Sequence, residues 1–430
     1  MKKQILISLG VIVFLFAATT LVILYGKGYR FWFSQGKPDI SGTGLLVTTS
    51  KPDGAQVFIN DHVTTATDST INLAPDIYTV RIFKDGYFPW QKKIQIQNEI
   101  VAKADATLFP TAPKLESITA SGAQNPTLDP SGTRIAYTTA SASARKKGLF
   151  VLDMTSRSLL PLQSSSTQIA DDTVDIFSGS LVSWSPDGKQ LLASISATTY
   201  LLDASNLNQN PTDVTTTLQT LLDEWKTLGQ EKELAKEQSL KETLKKMVIA
   251  NFANTKWSPD ETKILYTASQ SATIPIIIKP PLIGTNQTKE SRKLEKGSVY
   301  VYDIKEDKNY KINTSVCHPG VAATVLEGTD RIGSTQKDSI ATSQMPRGVL
   351  QNDNTCNNPL SWYPDSKHLI YVHDKKIEVL DYDDTNQLTV YAGPFLDNYV
   401  FPFPNDSKIV ILTNLGNPDI QPNLYTLELK

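Results

Sequence analysis

Ser183-Trp184-Ser185-Pro186-Asp187-Gly188-Lys189-Gln190-Leu191-Leu192, SWSPDGKQLL in one-letter code, sets a large aromatic directly before a strong turn. Ser185-Pro186-Asp187-Gly188 fits a type I turn, with serine first, proline with its φ preset second, aspartate third and glycine fourth. Leu181-Val182-Ser183-Trp184 before the turn and Leu191, Leu192, Ala193 and Ile195 after it are runs of strand length. The unit therefore predicts a β-hairpin.

The unit recurs as Lys256-Trp257-Ser258-Pro259-Asp260-Glu261 and as Ser361-Trp362-Tyr363-Pro364-Asp365-Ser366, each before an apolar run. Looser copies are Leu128-Asp129-Pro130-Ser131-Gly132 and Phe401-Pro402-Phe403-Pro404-Asn405-Asp406. The turn prolines are spaced by 56, 73, 105 and 40 residues, and the smallest spacing matches the roughly 40–45 residues of a four-stranded propeller blade. Larger spacings imply insertions, and a sixth blade has room before Trp362. A third strand is legible at residues 148–153, 298–303, 376–381 and 423–428, mostly ending on an acid.

With these motifs, residues 111–430 resemble the TolB-type, WD-repeat-like β-propellers. Trp184, Trp257 and Trp362 stand in the tryptophan position, Leu128 and Phe403 depart from it, and the glycine is kept at Gly132 and Gly188. Trp184, Pro186, Asp187, Trp257, Pro259, Asp260, Trp362, Pro364 and Asp365 are therefore expected to be structural repeat-turn residues. Their aromatics would pack between blades, each burying about 200 Å².

Ile5 to Tyr25 is 21 residues without a charge. At about 1.5 Å per residue it spans the roughly 30 Å of a bilayer core. A cleaved signal peptide would share the basic Lys2-Lys3 start and the small Ala17-Ala18 pair, but the apolar run continues well past them. The expectation is an uncleaved single-pass anchor at residues 4–25, a tail at residues 1–3, and the bulk of the chain outside the cytoplasm. Tyr25, Tyr29, Phe31, Trp32 and Phe33 would then form an interfacial aromatic belt.

After a linker at residues 26–43, residues 44–110 carry short period-2 strands around Pro52-Asp53-Gly54-Ala55 and Lys84-Asp85-Gly86-Tyr87, which predict a small β-sandwich. This segment is similar to the PEGA domain, whose name-giving turn matches Pro52 to Ala55 and whose later Gly-Tyr matches Gly86-Tyr87. Asp76 stands where that family has a glycine. The resemblance implies an envelope spacer or binding platform.

Within the propeller, residues 214–248 predict a helical insertion broken at Gly229. Leu218, Leu221, Leu222 and Trp225, then Leu240, Leu244, Met247 and Val248, follow helical spacing, and Glu237/Lys241 and Glu242/Lys246 are i,i+4 pairs. It would pack on the propeller rim or cover the channel as a partner-binding lid. Residues 270–297 and 314–358 are expected loop insertions, the second holding the candidate disulfide Cys317–Cys356. That bond would close a loop of about 40 residues and stabilise the fold by about 4 kcal/mol in the chain-entropy model.

Chemistry is sparse. With 42 basic and 44 acidic residues, the charge gives no polyelectrolyte signal and no nucleic-acid partner is expected. There is no G-x-S-x-G, no H-E-x-x-H and no phosphate loop. His62, His318, His368 and His373 read as structural or exposed. Asp381-Tyr382-Asp383-Asp384-Thr385-Asn386 is rich in oxygens but lacks the glycine and glutamate of a calcium loop, so a polar turn is expected. The chain ends on a blade strand, which leaves no room for the hydrolase domain that accompanies some such propellers. No catalytic, cofactor or metal residue is assigned. The expected class is all-β, a membrane-anchored envelope binding or scaffold protein contacting a protein or glycan. The alternative is a propeller-type glycan hydrolase or lyase using channel carboxylates.

Overall fold

The computed structural model describes residues 2–26, 30–34, 37–140, 145–155, 166–313 and 360–430. Helix α1 (Lys2–Gly26) contains Ile7–Gly26, with mean hydropathy 2.7 and none of its apolar window buried against the rest of the chain. By length and composition that surface suits a bilayer. Strands Arg30–Ser34 and Lys37–Ser41 then pair antiparallel with Arg30 opposite Ser41. Part of the expected linker is thus a hairpin.

The sandwich follows as expected. One sheet orders Ser69–Leu73, Gly44–Lys51 and Val101–Thr107; the other orders His62–Ala66, Gln56–Ile59, Ile77–Phe83 and Trp90–Gln95. Alternate residues such as Leu46, Val57, Val80, Ile82, Ala104 and Ile94 fill the space between the sheets, as the period of two requires.

Five four-stranded antiparallel sheets form the propeller blades among the described residues. The first holds Gln124–Leu128, Arg134–Thr139, Gly148–Asp153 and Ser166–Asp171, and the second Leu181–Trp184, Gln190–Ile195, Thr198–Asp203 and Thr212–Asp213. The third holds Phe252–Trp257, Lys263–Ala268, Val299–Asp303 and Lys308–Ile312, and the fourth Leu360–Trp362, His368–His373, Lys376–Asp381 and Leu388–Ala392. In the fifth, Val400–Pro402, Lys408–Thr413 and Asn423–Glu428 are joined at the edge by Leu115–Ser117 from the start of the domain, which ties the two ends of the ring together.

All five repeat turns share one geometry. The fourth turn residue donates its N–H to the first carbonyl, as in Gly188 to Ser185 (2.8 Å) and Glu261 to Ser258 (2.8 Å). That fourth residue has φ of 71° at Gly132, 73° at Gly188, 57° at Glu261, 58° at Ser366 and 55° at Asp406. Glycine is kept at two copies, and the other three hold a side chain in the left-handed region. The hydrogen bonds also correct the alignment of the fifth copy. Phe403 is its first turn residue, accepting from Asp406 and donating to Lys408, so Pro402 stands in the tryptophan position.

Neighbouring blades share apolar layers at four junctions: first with second, third with fourth, fourth with fifth, and fifth with first. Between the second and third blades stands the helical insertion. On the second blade Leu191 and Ala193 face the first blade, while Leu192 and Leu201 face away and meet Leu218, Leu221, Leu222 and Trp225 of α2 (Leu218–Gln238). On the third blade Leu265 and Val301 face the fourth, while Ile264, Tyr266, Tyr300 and Tyr302 meet Leu244, Met247 and Val248 of α3 (Glu242–Asn251). The helical pair is neither a rim decoration nor a channel lid; it is a wedge between two sheets.

Gly229 does not break the insertion. It lies inside α2, and the chain turns at Ser239 and Leu240 instead. An interior glycine costs a helix about 1 kcal/mol, less than the burial of Trp225 alone provides. The turn separates Glu237 from Lys241, whereas Glu242 and Lys246 lie 3.6 Å apart within α3. Residues 270–297 form a strap whose ends pair at Ala272–Thr273 and Lys293–Leu294. Cys317, Cys356 and the insertion at 314–358 lie outside the described residues.

Candidate functional site

Strand direction sorts the propeller loops onto two faces. Each first strand runs into its repeat turn, so these turns and the loops after each third strand share one face. The remaining connections lie on the other. On the turn face the blades are laced together. Arg134 donates to the Gly188 carbonyl, the Asp260 N–H to Ser366 Oγ (3.0 Å), and the Tyr363 hydroxyl to the Asp406 carbonyl (2.5 Å). At the helical wedge the lacing passes through α2: Lys232 Nζ donates to the Pro186 carbonyl (2.8 Å), and Lys236 lies 4.0 Å from Glu261.

The sandwich docks on this turn face against the third and fourth blades. Trp90, Lys92 and Ile94 alternate on one side of strand Trp90–Gln95. Trp90 Nε1 donates to Asp381 Oδ2 (3.3 Å), and Lys92 Nζ lies 3.0 Å from Asp381 and 2.7 Å from Asp383. The Gln91 N–H donates to Asn386 Oδ1 (3.0 Å), and Lys367 pairs with Asp105. The strap closes the joint from the side. Asn286 Nδ2 and Thr288 Oγ1 donate to Asp383 Oδ2 (2.7 and 2.6 Å), and Gln287 Nε2 donates to the Gln95 carbonyl (2.9 Å). Phe109 stands edge-on to Tyr363 and His368.

The repeat-turn aspartates differ in what surrounds them. Asp187 and Asp260 accept from Ser185 Oγ and Ser258 Oγ (2.7 Å each). Asp365 instead accepts from His368 Nδ1 (2.6 Å), whose other nitrogen is 3.2 Å from Asp381. Burial disfavours the His368 imidazolium, but Asp365 and Asp381 outweigh it and raise its pKa to about 9. Burial likewise opposes the Asp381 carboxylate, yet Lys92 and His368 hold its pKa well below the usual range. Desolvation works against the Lys92 ammonium and the two aspartates overcome it, so its pKa is raised. The joint is a buried cluster of paired acids and bases.

A cleft of about 350 Å³ runs along this joint, with Lys93, Lys103, Lys305, Asp260, Asp303 and Glu306 among the residues that line it. Burial raises the pKa of both Asp303 and Glu306. Among the described residues no group of three or more His, Cys, Asp or Glu is placed to hold a metal ion. In the oxygen-rich stretch 381–386 the cation beside Asp381 and Asp383 is the Lys92 ammonium. The sequence hid this contact because its partners are almost 300 residues apart. Its one trace is a lysine set between Trp90 and Ile94 on an inward-facing register.

The innermost strands, Gln124–Leu128, Leu181–Trp184, Phe252–Trp257, Leu360–Trp362 and Val400–Pro402, carry no aspartate or glutamate. The face opposite the sandwich is different again. Its connections and the ends of the elements beside them leave Val174 (55% exposed), Ile176 (63%), Leu181 (50%), Ile249 (62%), Leu396 (43%), Leu415 (50%) and Ile420 (52%) in solvent.

Residues 43–112 match the PEGA domain. Among curated proteins none matches the chain. Among solved structures, the putative TolB from Agrobacterium tumefaciens is similar at 10% identity over 79% of this chain and 80% of that one, with a TM-score of 0.21. TolB from Acinetobacter baumannii is similar at 13% identity over 82% of this chain but 59% of that one, less than two thirds of its length, with a TM-score of 0.18. The β-propeller domain of the Trilobed protease from Pyrococcus furiosus is similar at 12% identity over 90% and 97% of the two chains, with a TM-score of 0.17. The propeller assignment rests on the five sheets, not on these likenesses.

Proposed function

We propose that the chain is a membrane-anchored envelope binding or scaffold protein that holds its PEGA domain and propeller outside the membrane as one body and offers the far propeller face to a protein partner. The carrying observation is the division of the two faces. One is covered over its third and fourth blades by the sandwich and its charged joint, while the other exposes Val174, Ile176, Leu181, Ile249, Leu396, Leu415 and Ile420. Apolar residues gathered on one face of a soluble domain mark an interaction surface.

The test is photocrosslinking in intact cells with benzoylphenylalanine replacing Ile176, Ile420 or, on the sandwich-side face, Leu207. Protein adducts from Ile176 and Ile420 but not from Leu207 support the reading. Equal adducts at all three positions, or none at any, overturn it. A membrane-impermeant thiol reagent that reaches Ile420→Cys only after the cells are opened would sink the external placement.

A further inference from the structure

We infer that the apolar tip of the strap, Pro280-Pro281-Leu282-Ile283, is a second membrane contact that rests on the lipid surface beside the anchor; this rests on the anchored reading above. Leu282 is 48% exposed and Ile283 74% exposed. Gly284, the next residue, packs against the sandwich where a Cβ would sit 3.1 Å from the Val101 carbonyl and 4.0 Å from the Ile100 side chain. Gly44, where the tether enters the sandwich, abuts the same spot: a Cβ there would sit 3.2 Å from the Ile100 carbonyl. Leu45 pairs in register with Val101, and both are exposed, at 37% and 41%. Leu45, Val101, Leu282 and Ile283 therefore form one apolar patch at the point where the chain arrives from the helix.

Chain geometry keeps that point close to the bilayer. The hairpin of Arg30–Ser34 and Lys37–Ser41 places Arg30 opposite Ser41, so its twelve residues add only about 5 Å to the tether. The remaining links, from Gly26 to Arg30 and from Ser41 to Gly44, reach about 14 and 10 Å when extended. The patch thus lies within about 30 Å of the end of α1 even when the tether is taut. Lys279, directly before the tip, and Lys103, on the same strand face as Val101, are both exposed. Apolar residues flanked by these two lysines, with Asp105 on the same strand face paired to Lys367, suit an anionic lipid surface.

The test reconstitutes the full chain into vesicles of phosphatidylethanolamine and phosphatidylglycerol at about three to one, an anionic surface of the kind argued above. Benzoylphenylalanine replaces Phe14 in α1, Ile283 in the strap, or Ile420 on the far propeller face, and adducts to labelled phosphatidylglycerol are measured. At least tenfold more lipid adduct at Ile283 than at Ile420, with strong labelling at Phe14, is the expected result. Labelling at Phe14 with Ile283 no higher than Ile420 overturns the strap contact and leaves the anchor standing. No labelling at Phe14 overturns the anchor, and the strap contact with it. Leu282 labelled in the same way repeats the measurement one residue away.

Discussion

Trp362 donates its indole N–H to the carbonyl of Lys256, 2.8 Å away, across the junction of the fourth and third blades. Lys256 returns the contact through its Nζ to the Leu360 carbonyl (2.8 Å). These sheets are direct neighbours, so the ring has no place for a sixth blade between them, where the 105-residue spacing of turn prolines left room for one. Trp184 repeats the bond across the first junction, donating to the Thr127 carbonyl at 3.1 Å. Replacing Trp362 with Phe keeps most of the packing and removes one donor to that carbonyl. The expected loss is about 0.5–1.5 kcal/mol, read as a lower denaturant midpoint with an unchanged m-value.

The helical wedge makes a sharper prediction. Trp225 is 8% exposed and covers Leu192 and Leu201. Trp225→Ala should cost about 3–5 kcal/mol and release α2 from the second blade, seen as faster amide exchange in residues 218–238. Leu228→Ala, on an exposed part of the same helix, should stay within about 0.5 kcal/mol. Equal effects from the two variants would mean that α2 does not seal the junction.

Lys92 is the hinge of the domain joint. Lys92→Met leaves Asp383 without its cation and Asp381 with His368 alone, and breaking a buried pair in this way costs about 3–5 kcal/mol. The sandwich should then undock, exposing the connection near residues 110–114 to protease. Adding Asp383→Asn should recover part of the loss, since the charge stranded by the loss of Lys92 is removed.

His368 gives the joint a pH signature. Its folded pKa of about 9 lies above the unfolded value of about 6.5. Its contribution is therefore full below about pH 6.5 and is lost as pH rises through 9, on the order of 3 kcal/mol in all. Asp365 and Asp381 shift the other way: both are held down, Asp365 against burial by His368 and Asp381 against burial by Lys92 and His368. Their contribution is present above about pH 4 and lost on acidification. Thermal melts of the native chain should fall between pH 7 and 9, and His368→Gln should flatten that limb.

Glu261 occupies the left-handed position that Gly132 and Gly188 fill in other turns, with φ of 57°. Its contact with Lys236 is long, at 4.0 Å, and exposed, so it contributes little. Glu261→Gly should raise stability by about 0.5–1 kcal/mol. The same change at Ser366 should not, because Ser366 Oγ accepts the Asp260 N–H.

Local chemistry was enough to read the repeat from the sequence. Proline and aspartate at fixed offsets force the turn, alternation sets the strands, and an uncharged run of bilayer length stands apart from everything else. Residues 183–192 thereby imply a blade, and residues 44–110 a sandwich. Four features depended on tertiary structure. The helical stripe at Leu218 to Trp225 says that one face is buried but not against which sheet. Gly229 favours a break by propensity, and packing overrules it. Asp365 looks like its counterparts Asp187 and Asp260 until His368 and Asp381 close around it. Lys92 and Asp383 meet only when two domains dock, because a Coulomb contact depends on distance in space, and separation along the chain does not encode it.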